Sequence, residues 1–463
     1  MARVLLMVNE NGRTNGKRIW KALMRKYDSY KESGIDWIGK VPSNWEKWKI
    51  SHAFSKIGSG TTPESGNPLY HHNGTINWLN TGDLNDSKLY TCSKKITEKA
   101  VEDYSSLKRY PSGSLVIAMY GATIGKTSIV QFETTTNQAC CVFSESEIID
   151  INFLFYWFKG HKEHIINLAV GGGQPNISQD ILKGIRLYTP TFKEQNQIAN
   201  YLDNKTTQID NLINKKEQLI ELLEEERIAI INQAVTKGLN PEAPMKDSGI
   251  EWLGDIPEHW EVWKISHAFK KLGSGTTPES GNPKYHSDGT INWLNTGDLN
   301  NGVLESCSKK ITVDALEDYS SLKVYPAGSL VIAMYGATIG KTAIVNFETT
   351  TNQACCVFTD SDIIDIKFLQ YWFTAKKEHI INLSVGGGQP NISQQILRNV
   401  RLGAPSFDEQ LEIVEYLKDK ESKFINLKNK LMNEIELLKE YKTALISEVV
   451  TGKVDVRNYK TEN

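Results

Sequence analysis

The chain has 463 residues, 40% hydrophobic and 23% charged, which provides for two to four domains with cores of their own and excludes a disordered or fibrous protein. No apolar run reaches the roughly 18–20 residues that cross a bilayer, and residues 1–7 lack a secretion-signal cleavage pattern, so a cytoplasmic protein with no membrane association is expected. A formal net charge of −2 excludes a uniformly basic coat, so any nucleic-acid role must use local patches or basic partners.

Residues 1–29 have no counterpart elsewhere and are set aside as an N-terminal extension. At Tyr30 a repeat begins: YKESGIDWIGKVPSNW returns as MKDSGIEWLGDIPEHW from Met245, an offset of 245 − 30 = 215 that then holds without a gap. A self-match of this length means two whole copies of one unit. The predicted organisation is a globular module over 30–190, a long helix over 191–240, a second module over 241–405, a second helix over 406–456 and a tail over 457–463. Roughly three quarters of the positions are identical between the modules but only about a third between the helices, so the two modules should read the same ligand.

Within each module, residues 114–119 and 139–143 are β-rich and bounded by Gly, Pro and Asn, and are predicted as strands. Residues 151–168 have helical length and periodicity. Loops rich in Gly, Thr and Asn lie between, at 58–63, 80–83 and 171–176. The fold class is therefore mixed, α/β or α+β, with loops of the kind that carry function.

Each long helix opens on a capping box, Thr191 with Glu194 and Ser406 with Glu409. Ile198, Leu202, Ile209, Leu212, Leu219 and Leu223 recur at threes and fours, as do Ile413, Leu417, Phe424, Leu427, Leu431 and Leu438. Gly238 supplies a stop for the first helix. A helix of roughly 60–70 Å is too long for a core element and needs a partner along its seam, which the other copy supplies.

Several motifs suggest chemistry. Gly121-Ala-Thr-Ile-Gly125-Lys126-Thr127, repeated from Gly336, resembles a phosphate loop but has three residues between its glycines where four are needed, and no acidic Mg²⁺ partner is evident. It reads either as a Gly loop presenting Tyr120, Thr123 and Lys126 to a polyanion or as a plain tight turn. Asn67-Pro68-Leu69-Tyr70 lacks the second proline of an adenine-methyltransferase loop and reads as a turn. Ser51-His52 and its copy read as packing residues. Three cysteines fall in each half, Cys92, Cys140 and Cys141, then Cys307, Cys355 and Cys356, and the adjacent pairs are expected to be buried thiols with no metal site.

What remains is a repeated set of loop hydroxyls, amides and cations. In the first module it comprises Thr61, Thr62, Asn77, Asn80, Tyr120, Thr123, Lys126, Gln138, Gln174 and Asn176. In the second it comprises Thr276, Thr277, Asn292, Asn295, Tyr335, Thr338, Lys341, Gln353, Gln389 and Asn391. Asn and Gln suit bidentate contact with adenine, and Lys suits guanine or phosphate. Any one Asn also suits a turn that caps its own backbone. As a group the loops point to ligand recognition.

Taken together, the sequence resembles the DNA specificity subunit of type I restriction–modification systems. The residues that carry the likeness are Ile35-Asp-Trp-Ile-Gly-Lys-Val-Pro42 with Trp45 and their copy at 250–260, the Ser59-Gly-Thr-Thr-Pro63 loop, residues 119–126, Gly173-Gln-Pro-Asn-Ile-Ser178, and Pro-x-x-x-Glu-Gln at the start of each long helix. The likeness covers about residues 28–456 and implies two target-recognition domains held apart by two antiparallel coiled-coil helices with pseudo-twofold symmetry. It also implies double-stranded DNA as ligand and no catalysis or cofactor in this chain. The expected partners are two adenine methyltransferase subunits carrying S-adenosylmethionine, and restriction subunits with an ATP- and Mg-dependent motor and nuclease. Members of this family commonly carry two dissimilar recognition domains, whereas these two are nearly the same, which predicts like half-sites arranged as a gapped palindrome, or as a direct repeat if the modules are related by translation. The alternatives are a free-standing tandem DNA-binding protein, a nucleotide-using enzyme built on the Gly-Lys-Thr loops, and a purely structural scaffold.

Overall fold

The computed structural model describes residues 25–169, 176–384 and 391–459, and the chain divides into two compact units. The first holds the chain up to Lys215 together with Glu434 onward, and the second runs from Lys216 to Asn433. Each unit contains one globular module and one stretch of each long helix.

A five-stranded sheet forms the centre of the first module, in the order Lys56–Gly58, Cys140–Ser144, Leu115–Ala118, Thr127–Val130 and Lys88–Leu89. Neighbouring strands are antiparallel except the last pair, which is parallel with Lys88 opposite Ile129. The second module repeats the order with Leu272–Gly273, Cys355–Phe358, Leu330–Ala333, Thr342–Val345 and Val303–Leu304. Successive side chains of a strand point to opposite faces, and both faces here are covered. Leu330, Ile332 and Cys356 enter a large core with Trp372 and Phe373, while Val331, Ala333, Cys355 and Val357 enter a smaller one around Leu294 and Tyr325. Adjacent cysteines therefore lie on opposite sides of the sheet, and burial pushes the Cys141 thiol up to about 12.

A smaller sheet, Thr135–Thr136, Ile76–Leu79 and Lys95–Ile96, packs with the helices Pro68–His71 and Glu98–Asp103 through Ile76, Trp78, Ile96, Ala100 and Leu107. The single helix expected over 151–168 is two, Ile151–Gly160 and Lys162–Asn167. The break at His161 lets the chain bend round Trp37, whose ring meets Trp157, His161 and His164 at 5.7, 4.8 and 3.9 Å.

The long helices are Phe192–Lys237 and Phe407–Val450. Thr191 and Ser406 cap them, each accepting from the backbone N–H three residues on at 3.4 Å. The Glu half of each expected capping box is engaged elsewhere: Glu194 accepts from the Tyr27 hydroxyl at 2.6 Å, and Glu409 from Trp260 at 3.1 Å. The neighbouring Gln195 is fully buried and satisfied, donating to Ile148 and Pro190 carbonyls at 2.9 and 3.0 Å and accepting from Asp150 N–H at 2.8 Å.

Within the second unit Arg227 meets Glu421 at 2.8 Å and Glu224 meets Lys428 at 3.9 Å, so numbering rises on one helix as it falls on the other: the stretches are antiparallel. In the first unit Asp210 meets Lys442 at 2.6 Å beside buried Ile209 and Leu438. The expected seams hold at Ile198, Leu202, Ile209, Ile413, Leu417, Leu431 and Leu438, which are buried, but Leu219 and Leu427 face solvent, both 42% exposed. The helices keep a close to 3.5-residue inward period, which near mid-helix keeps the expected Leu223 half-buried and brings in Ile220 in place of Leu219.

Residues 25–29, expected outside the fold, are part of the first unit. Tyr27 is buried, and Asp455 N–H donates to the Arg25 carbonyl at 2.8 Å. The expected tail also packs: Arg457 lies 4.8 Å over the Tyr27 ring and Tyr459 donates to Asn204 at 3.0 Å.

Candidate nucleic-acid interface

Four loops meet along one edge of the five-stranded sheet. The first crosses the backbone at Gly60, whose N–H donates to Thr136 Oγ1 at 3.0 Å. A Cβ at Gly60 would fall 1.8 Å from the Thr136 carbonyl oxygen, so only glycine permits the crossing. Two residues on, Thr62 Oγ1 donates to Gln138 Oε1 at 2.7 Å. Ala139 then accepts from Met119 N–H at 2.8 Å, Met119 accepts from Ile177 N–H at 2.9 Å, and Tyr120 bridges Asn176. Thr62, Gln138, Tyr120 and Asn176, 114 positions apart at the extremes (176 − 62), are thus neighbours on one rim.

The second module repeats this rim. Thr277 donates to Gln353 at 2.7 Å, Met334 N–H donates to Ala354 at 2.8 Å, Ile392 N–H to Met334 at 2.9 Å, and Tyr335 bridges Asn391. The carbonyls of Thr61 and Thr276 accept from the indoles of Trp78 and Trp293, both at 3.1 Å, which ties the loop to the smaller sheet. Gln174 and Gln389 lie outside the described residues.

Tyr120 opens a tight turn, Gly121–Thr123, that Thr123 closes by donating to the Tyr120 carbonyl at 3.3 Å, with Thr338 doing the same for Tyr335 at 3.4 Å. Gly125 follows at φ +76°, a conformation open to glycine at no cost. Lys126 leaves this turn half-buried, with Lys341 its copy; among the described residues neither ammonium has a hydrogen-bond or ion-pair partner.

Asn77 and Asn80 do not share the rim's outward groups. Asn77 Nδ2 donates to the Glu133 carbonyl at 2.9 Å, and Asn80 donates to Trp78 at 3.0 Å while accepting from Asn137 Nδ2 at 3.1 Å. Asn292 and Asn295 repeat this with Glu348, Trp293 and Asn352 at 2.9, 3.3 and 3.2 Å. They hold the loops against one another. Asn137, which the sequence reading passed over, is the link between them; its identical copy at Asn352 was the available signal. Lys94 was also passed over, and its ammonium sits 5.8 Å from the Trp78 ring, as Lys309 sits 5.9 Å from Trp293.

The rim therefore offers hydroxyls, amides, a phenol and an ammonium on a fixed frame, a set suited to base edges and phosphates. The Type I restriction modification DNA specificity domain matches residues 42–222 and again 257–437, which is most of the chain. The chain belongs to the type I restriction–modification DNA specificity family. Among its relatives, the MjaIX specificity subunit of Methanocaldococcus jannaschii is 25% identical over 90% of this chain and 95% of its own length. The MjaVIII specificity subunit of the same organism is 26% identical over 68% and 72%. In structure it is similar to a chain solved in work on complex assembly and conformational transition of the type I R-M system, at TM-score 0.68 and 15% identity, covering 89% of this chain and 98% of that one. The HsdS subunit from Thermoanaerobacter tengcongensis follows at TM-score 0.55 with the same coverage. As a type I specificity subunit the protein has a DNA-specificity role and is not itself catalytic. Its two modules and its paired long helices are the architecture of that family. No helix among the described residues is long and apolar enough to cross a membrane.

Proposed function

We propose that this subunit reads a bipartite, gapped DNA site in the cytoplasm, each module contacting one half-site through its loop rim. Thr62, Tyr120, Thr123, Lys126, Gln138, Gln174 and Asn176 make the contacts in the first module, Thr61, Asn77 and Asn80 hold the loops, and the corresponding residues serve the second. The observation that carries this reading is the duplication of the rim without a change of residue or bonding, down to the 2.7 Å bonds Thr62–Gln138 and Thr277–Gln353. Like rims read like half-sites, and the site we propose is a gapped palindrome, the same half-site read once on each strand. The chain supplies no cofactor; S-adenosylmethionine, ATP and Mg²⁺ belong to the methyltransferase and restriction subunits it assembles with. In support of such docking, the long-helix stretches of the second unit expose Leu222, Ile425 and Met432 at 59, 56 and 51%, apolar surface of the kind that marks an interface.

Methylome sequencing of a host that carries this gene with its methyltransferase tests the proposal. The expected result is a gapped palindrome methylated on adenine in both strands, lost on deleting the gene. Unlike half-sites would reject the shared reading of the two rims, and a methylome indifferent to the deletion would favour a free-standing DNA-binding protein.

A further inference from the structure

The rims match, but the pairing of the charges beneath them does not. In the first module Asp86 lies under the tight turn at φ +58°; its Oδ1 accepts from Thr127 N–H at 2.9 Å and its Oδ2 from Lys162 Nζ at 2.9 Å. Lys162 runs directly against the turn, since a Cβ at Gly125 would meet its Cγ at 3.4 Å. Burial works against the Asp86 charge, but the Thr127 N–H and the Lys162 and Lys159 ammoniums outweigh it and hold the carboxyl below its ordinary range. The pair is therefore formed at neutral pH, and Lys162 is neutralised from within the protein.

The second module has Asn301 at this position, also left-handed at φ +64°, and the Asn keeps the structural bond: Oδ1 accepts from Thr342 N–H at 3.1 Å. What it lacks is the charge. Lys377, the counterpart of Lys162, packs against the turn in the same way, with its Cε 3.5 Å from a Cβ at Gly340, yet among the described residues its ammonium has no acceptor. Lys341 leaves the same turn, also without a carboxylate. At its turn the first module thus offers one ammonium without an acceptor, Lys126, beside Lys159, which donates to the Asp86 backbone carbonyl at 3.0 Å; the second offers two, Lys341 and Lys377, and has Thr374 in place of Lys159.

We infer that Lys377 is an additional DNA-phosphate contact belonging to the second module alone, so that two modules reading like half-sites grip the backbone unequally. This rests on the reading that the rims face DNA. A lysine already neutralised by a carboxylate releases no counterion from the duplex, whereas an unpaired one does, and each such contact adds about 0.9 to the salt slope of binding. On a palindrome the subunit binds in both orientations, so footprints average the two modules and hide the difference; exchanging the residue reveals it.

Asp86→Asn and Asn301→Asp each install a residue that the other module already carries in the same backbone conformation, so both variants should fold, Asp86→Asn unfolding at a somewhat lower temperature because it gives up the Lys162 ion pair. Binding of the full chain, assembled with its methyltransferase, to a labelled mixed-sequence duplex is measured by anisotropy over a KCl series; phosphate contact needs no particular sequence. Asp86→Asn should steepen the slope of log K against log[KCl] by about 1 and Asn301→Asp should flatten it by about 1. Lys377→Ala should match Asn301→Asp, and adding Asn301→Asp to it should change nothing more. Wild-type binding with coincident slopes for all variants would overturn the inference and leave the DNA reading standing. No duplex binding at any salt would overturn both.

Discussion

At the scale of single residues, identity between the copies did not reveal which side chains face outward. Asn77 and Asn80 were as plausible as Gln138 in the sequence, because an amide that reads adenine and one that braces a loop look alike until its partners are known; here Glu133, Trp78 and Asn137 are those partners. Residues that differ between copies carry physical consequences of their own. His161 is only 7% exposed, with Nδ1 at 2.7 Å from the Trp157 carbonyl, and its counterpart is Lys376. Burial, with Lys453 and His164 adding to it, lowers its pKa from 6.5 to about 4 against the opposing Trp157 bond. Because the folded state binds its proton less readily than the unfolded one, stability is full above pH 6.5 and is lost as pH falls towards 4. Two and a half pKa units correspond to roughly 3 kcal/mol. We expect His161→Gln to remove that part of the acid sensitivity: the difference in unfolding free energy between wild type and variant should change by about this amount between pH 7 and pH 4. A difference that stays constant over the range would show that the imidazole titrates alike in both states.

At the scale of elements, length and termini were legible and facing was not. Pro190 and Gly238 bracket the first helix in the sequence, and the helix observed is Phe192–Lys237. The Glu-Gln pair at its start is explained by packing rather than capping, since Gln195 fills a buried polar slot that only a primary amide satisfies from both ends. Spacings of three and four fit more than one stripe on a helix this long, and the stripe read from them put Leu219 and Leu427 inward. Inward positions include Arg227 and Glu421 instead, each side chain 22% exposed, with Glu421 also accepting from the Tyr371 hydroxyl at 2.7 Å. A polar pair in an apolar seam fixes register at some cost in stability. Glu421→Ala leaves the Tyr371 phenol without its acceptor and the guanidinium with Glu224 alone, and should destabilise by about 2 kcal/mol. The double variant Arg227→Met with Glu421→Met should recover most of that, because apolar side chains of similar size replace such pairs nearly neutrally. Thermal unfolding of the three proteins decides it; a double variant as unstable as the single one would mean that the pair itself supplies net stability.

At the scale of the whole molecule, the repeat was the strongest signal in the sequence, because an offset that never slips leaves no other division of the chain open. Its consequence for specificity can be tested by making the repeat complete. The modules differ at about a quarter of their positions, among them Leu69, His72, Glu98 and Arg109 on the small-sheet helices and loops, Asp86 to Lys88 below the turn, His161 at the helix break, and Tyr188 and its neighbours beside the long helix, where the second module has Lys284, Ser287, Val313, Val324, Asn301 to Val303, Lys376 and Gly403. None falls on the rim. A chain in which residues 245–405 also replace residues 30–190 therefore changes what lies under and behind one rim while leaving the rim intact. If the rims hold the specificity, this chain should direct methylation to the same gapped palindrome as the parent, with the gap unchanged because both long helices are unchanged. If specificity lay in the residues that differ, the parent would read two unlike half-sites and the exchanged chain would read only the second of them, twice. The two outcomes are distinguished in the methylome by the first half-site alone: its survival locates recognition on the loops that the modules share, and its replacement by a copy of the second moves recognition to the surface where they differ.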